Sequence, residues 1–179
     1  MKKTTAKTGP NATGKAFLKI FEALIKKMPS KSEILDRLQP LKGRFELQII
    51  DANTGAIIEN YVDKNLVVNG GRTAVMILLG SANSDKQLTQ LSVGTNGTAP
   101  AGTDVAITGA FTKNLGTVTY PTANSVRFDW QLGVGDANGI AIAEFGLLCA
   151  DDTLFARKVR EVINKNADII LNGNWTISF

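Results

Sequence analysis

The sequence predicts a mainly β protein: an antiparallel β-sandwich body with one short internal helix, preceded by an N-terminal helical arm. Three observations predict it. The hydrophobic period changes near residue 43, from three- and four-residue steps to strict alternation. Short alternating segments then recur to the end of the chain, separated by Gly, Asn, Asp and Thr clusters, as in an antiparallel sandwich. Charge divides at the same place. Residues 1–44 hold eleven Lys or Arg and three acids, net +8, whereas the rest holds nine basic and thirteen acidic groups, net −4. Two regions follow: a basic, partly flexible arm over 1–43 and a β body over 44–179.

Residues 1–14 lack bulky apolar groups and are expected to order only on a partner. Over 15–28, Phe17, Ile20, Phe21, Leu24, Ile25 and Met28 share one helical face, and Pro29 closes the helix. Ser30 and Glu33 have capping-box spacing for a short second helix over 33–38, which Pro40 ends. Alternation from Arg44 to Ile50 marks a strand, Asp51 to Gly55 a turn, and Ala56 to Val62 the returning strand. Leu66–Val68 is a separate apolar run. A helix is then expected over 72–79, with Val75, Met76, Leu78 and Leu79 as its core face and Gly80 as its C-cap. Further strands are expected over 88–93, 104–111, 116–120, 125–132, 140–150, 153–162 and 168–179.

Composition excludes much chemistry. The 179 residues contain no histidine, which removes Ser-His-Asp and Cys-His catalysis and His-ligated metals. The single cysteine, Cys149, allows no internal disulfide and reads as a small buried residue. Apolar runs are too short for a membrane span. Lys7, Gly9 and Pro10 stand where a secretory signal would need an apolar core, so the chain is expected to be made in a cytoplasm. Asp151-Asp152 reads as a hairpin turn rather than a carboxylate pair. Gly133-Val134-Gly135-Asp136-Ala137-Asn138-Gly139 lacks the spacing and the following helix of a dinucleotide loop. Asp129, Asp136 and Asn138 lack the EF-hand pattern for calcium, and no metal or other cofactor is expected.

Glu144 lies in an otherwise apolar strand, and a buried carboxylate needs a partner. Arg157 on the next strand is the expected one, as a structural or inter-subunit salt bridge. In the arm, Phe17, Ile20, Phe21, Leu24, Ile25 and Met28 are expected to pack on a protein partner. Lys19, Lys26 and Lys27 would face acidic groups there. The arm's basic face has no interleaved aromatic rings, so no specific nucleic-acid site is expected.

An ordered series of motifs carries a resemblance. It runs Asn69-Gly70-Gly71-Arg72, Gly94-Thr95-Asn96-Gly97-Thr98-Ala99-Pro100, Glu144-Phe145-Gly146-Leu147 and Leu154-Phe155-Ala156-Arg157, and ends at Asn174-Trp175-Thr176-Ile177. In this series residues 44–179 resemble small tailed-bacteriophage virion proteins of the tail fibre and collar kind. The resemblance implies a non-enzymatic β-sandwich at the neck, collar or tail of a virion, in a homo-oligomer such as a trimer or ring. Its partners would be other virion proteins. Rival expectations are a capsid decoration protein and a host-receptor-binding fibre module that takes glycan. The latter would want exposed aromatics, and Tyr120, Trp130 and Trp175 are the rings available. An enzyme would have to work through Glu144 and Asp104.

Overall fold

The computed structural model describes residues 41–81 and 84–179. The predicted helices over 15–28 and 33–38 lie outside them. The first hairpin is β1 (Lys42–Asp51) and β2 (Ile57–Val67). It begins two residues before the expected boundary, because Lys42 and Gly43 already pair with Ser178 and Ile177. The Asp51 carboxylate accepts the backbone N–H groups of Asn53 and Thr54, which sets the turn. Leu66 and Val67 are the tail of β2 rather than a separate element, and they pair with Arg157 and Ala156.

α1 (Asn69–Gly80) follows, then a 3-10 turn (Ser84–Lys86), β3 (Leu88–Gly94) and β4 (Phe111–Asn114). The remaining strands are β5 (Val118–Thr122), β6 (Ser125–Leu132), β7 (Ala141–Cys149), β8 (Leu154–Asn164) and β9 (Ile169–Ser178). The strand expected over 104–111 is a loop as far as residue 110, because Asp104 and the Thr108 N–H bond to Arg157 and Glu144 on the neighbouring sheet face instead of to a ladder.

All pairings are antiparallel, in the order β4-β3-β7-β8-β2-β1-β9-β6-β5. Among the described residues the fold is mainly β with one short α-helix, as the alternation predicts. It forms one curled sheet rather than two separate sheets, because β2 turns the corner from β1 to β8. A second corner lies between β4 and β5. Leu115 N–H bonds to the Thr89 carbonyl on β3, and Gly116 N–H bonds to the Asp129 carbonyl on β6. The two outermost strands of the sheet, β4 and β5, are thus consecutive in the chain.

The curl brings distant strands face to face. Phe45 on β1 lies 4.9 Å from Phe145 on β7, 5.0 Å from Trp175 on β9 and 5.7 Å from Trp130 on β6, centroid to centroid. Trp130 crosses β9 at Gly173, where any Cβ would overlap its ring and the Glu46 carbonyl. Leu47, Leu132, Leu147 and Leu171 complete the centre of this core.

α1 begins three residues earlier than expected, and its buried face differs. Gly71 and Ala74 are buried, Val75 is half-buried, and Met76, Leu78 and Leu79 are exposed. The reason is close approach. A Cβ on Gly71 would overlap the Phe155 carbonyl of β8, so the face with the smallest side chains turns inward. Gly80 is the last helical residue, and the Ser81 N–H closes the helix on the Ile77 carbonyl.

Candidate functional site: a buried ionic clip

β7 sends alternate residues to opposite faces. Phe145 and Leu147 enter the aromatic core, while Glu144 and Gly146 face the other way. Pairing with β8 sets Arg157 opposite Gly146, and pairing with β3 sets Gly94 opposite Glu144. The two glycines make a low bed on this face. The loop over residues 95–110 lies on it, since a Cβ on Gly146 would come within 2.5 Å of Ile107 Cγ1. Ile107 packs there on Val68, Leu148 and Leu154, a second small apolar cluster.

The loop is held by charge. Arg157 Nε donates to Glu144 Oε2 at 2.7 Å, with the arginine 2% and the glutamate 0% exposed. Glu144 Oε1 accepts the backbone N–H groups of Thr108 at 2.8 Å and Asn96 at 3.1 Å. The guanidinium continues into the loop. Nη1 donates to Asp104 Oδ2 at 2.9 Å and to the Thr98 carbonyl at 3.1 Å, and Nη2 donates to the Asn96 carbonyl at 3.0 Å. The Ala101 N–H, and next Arg157, hold the Asp104 carboxyl below the usual carboxylate range.

The structure thus brings Glu144 and Arg157 together and adds Asp104 from across the loop. It also brings together four of the five dispersed sequence motifs, while Asn174–Ile177 lies elsewhere, with Trp175 in the aromatic core. Gly94 and Asn96, Glu144 and Gly146, and Arg157 all meet in the clip. Gly70 and Gly71 lie beside it against the β8 carbonyls of Leu154 and Phe155. Chemically the cluster is committed to protein partners. Glu144 accepts three hydrogen bonds and Arg157 donates four, all to protein groups. A general acid or nucleophile needs an accessible face, and Glu144 has none in this arrangement. The role of Asp104 has a readable signal only in retrospect: its spacing from Ala101 matches a carboxylate closing its own turn.

The other residues singled out in the sequence separate in space. Asp136 accepts the Gly133 N–H and pairs with Lys113, Asp129 pairs with Arg127, and Asn138 bonds to Val134 and Lys165. Among the described residues no cluster of three or more Cys, Asp or Glu is placed to hold a metal ion. Cys149 is fully buried in β7, and burial pushes its thiol up to about 11. Trp130 and Trp175 are buried, and Tyr120 is exposed on β5. Among the described residues no helix is long and apolar enough to cross a membrane. The arm residues Phe17, Ile20, Phe21, Leu24, Ile25, Met28, Lys19, Lys26 and Lys27 lie outside the described residues.

A further set of charged groups, not anticipated from the sequence, bridges β2 and β8 where these strands diverge. Lys158 pairs with Asp63 at 2.5 Å, and Arg160 grips Glu59 with both terminal nitrogens. Tyr61 lies between the two cations, 4.7 Å from the Arg160 guanidinium and 5.5 Å from the Lys158 ammonium.

Compared with family models, curated proteins and solved structures, the chain finds no match.

Proposed function

We propose that this chain is a non-enzymatic structural subunit of a tailed-bacteriophage virion, sited at the neck, collar or tail. In this reading residues 1–43 dock on neighbouring virion subunits through Phe17, Ile20, Phe21, Leu24, Ile25 and Met28. The body serves as a rigid packing module, with the two halves of the curled sheet acting as the layers of a sandwich. One observation carries the reading: residues of four of the five motifs behind the virion resemblance meet in or beside a single clip whose buried charges are spent on holding a loop. A part built for shape rather than turnover has that character. The charge division supports it as well, since a basic stretch of net +8 over residues 1–44 ahead of a −4 remainder suits repeated contacts between copies. Many such weak contacts around a symmetry axis hold an assembly by avidity.

The test is quantitative mass spectrometry of gradient-purified particles, counting copies of this chain against the major capsid protein. A low number matching the portal or tail supports the proposal. A number near that of the capsid protein moves the chain to capsid decoration, and absence from particles overturns the virion reading. Deleting residues 1–28 is expected to leave the body folded while removing the chain from particles.

A further inference from the structure

The outer face of β2, β1, β9 and β6 carries a pattern unrelated to the clip. Register sets Asn60 opposite Gln48, Gln48 opposite Asn172, and Asn172 opposite Gln131. Four carboxamides therefore form one straight row across four neighbouring strands. At about 4.8 Å per strand, that row is about 14 Å long. The parallel row two residues away contains Glu46, Asn174 and Asp129. Both rows line a groove of about 570 Å³, rimmed by Gly116 and Thr117 from the second corner. This volume is within the range of small-molecule sites.

The hydrogen bonding within the rows is incomplete. Gln48 Nε2 donates to Asn60 Oδ1 at 2.9 Å, and Gln131 Nε2 donates to Asn172 Oδ1 at 2.8 Å. Each pair keeps a glutamine oxygen and an asparagine NH₂ outside that bond. Asn174 Nδ2 donates to Glu46 Oε2 at 3.1 Å. Its Oδ1 has no hydrogen-bond partner among the described residues, although Asn174 is only 6% exposed. A buried acceptor in that position favours a ligand that brings a donor.

Charge selects the ligand class. Glu46 is paired with Arg44 at 2.6 Å and Asp129 with Arg127 at 2.8 Å, so neither sign is in excess. An anion would face the two carboxylates, and a cation would face the guanidinium groups. A neutral ligand whose groups each donate and accept meets neither penalty. Hydroxyls have that property, whereas an extended peptide engages sheet edges rather than a sheet face. We propose that this groove binds a neutral, linear oligosaccharide lying across the four strands, with its hydroxyls on the amide row and on Asn174 Oδ1. The proposal does not depend on any place in a virion.

The test is an NMR titration of the full ¹⁵N-labelled chain with maltohexaose, cellohexaose, N-acetylchitohexaose and a mannan hexasaccharide, with a heparin hexasaccharide as the charged comparison. At least one neutral sugar is expected to bind at millimolar concentration or below. The side-chain amide signals of Gln48, Asn60, Gln131, Asn172 and Asn174 should shift, and added salt should have little effect. The double variant Gln48→Ala/Gln131→Ala changes two exposed residues, and its backbone spectrum reports whether the fold is kept. It should bind the same sugar about tenfold more weakly. The proposal is overturned if none of the four neutral sugars binds. It is equally overturned if only the charged sugar binds, or if the folded double variant binds as the parent does.

Discussion

Replacing Glu144 with Gln changes one buried group by almost no volume. The two loop N–H groups of Asn96 and Thr108 can still bond to the amide oxygen. The amide nitrogen then faces Arg157 Nε, donor against donor, where a carboxylate oxygen stood at 2.7 Å. Arg157, 2% exposed, keeps only Asp104 as a counter-charge. Removing one partner of a buried pair costs about 3–5 kcal/mol, a large share of the ~5–15 kcal/mol that holds a typical domain. Arg157→Met leaves Glu144 charged and buried and should cost a similar amount. Combining the two removes both charges, so the double variant should lose less than the sum of the singles, by up to ~3 kcal/mol. Denaturant unfolding is the assay, followed through the fluorescence of Trp130 and Trp175, which are both buried. Hydrogen exchange at the Asn96 and Thr108 amides should accelerate in the single variants. Singles within ~0.5 kcal/mol of the parent, or a strictly additive double, would refute the clip as the device that holds the loop.

Gly173→Ala should prevent folding or cost more than ~3 kcal/mol, since the new methyl overlaps the Trp130 ring and the Glu46 carbonyl; soluble yield and the unfolding midpoint check this, and a parent-like midpoint contradicts the packing. Cys149 should resist a thiol reagent at neutral pH in the native chain and react fully once unfolded, because burial raises its thiol to about 11. On the acid side, the bonds from Lys158 and the Lys64 N–H lower Asp63 from 3.8 to about 2. Its folded value lies below its unfolded one, so its contribution is fully present above about pH 4. It is lost as the pH falls through about 2. Asp63→Asn should therefore flatten the dependence of stability on pH in that window, and an unchanged slope would remove the Lys158–Asp63 bridge from the acid response.

The alternating strands were legible because a half-buried strand writes its two faces into consecutive residues. Val126, Phe128, Trp130 and Leu132 announce β6 without any knowledge of their neighbours. The pairing of Glu144 with Arg157 was legible for a related reason: a carboxylate in an apolar run needs a cation, and a hairpin supplies the nearest one. The loop over residues 104–110 was misread as a strand because Ile107, Thr108 and Asp104 are spent on the sheet face, on the small apolar cluster, Glu144 and Arg157, rather than in a ladder. The face of α1 was misread because its register depends on how closely it approaches β8. Gly71 permits that contact only where the Phe155 carbonyl happens to lie.

By itself the sequence determined that the chain after residue 43 is built of alternating strands, where most of them lie, and that Glu144 would not be left alone. Tertiary structure decided that β2 and the β4–β5 run turn corners, so that one curled sheet replaces two. It also gathered most of the dispersed motifs around Arg157 and lined up four amides from four strands. The physical reason is range: alternation is a property of neighbouring residues, whereas a corner, a clip and a cross-strand row exist only once strands far apart in the chain have chosen their register.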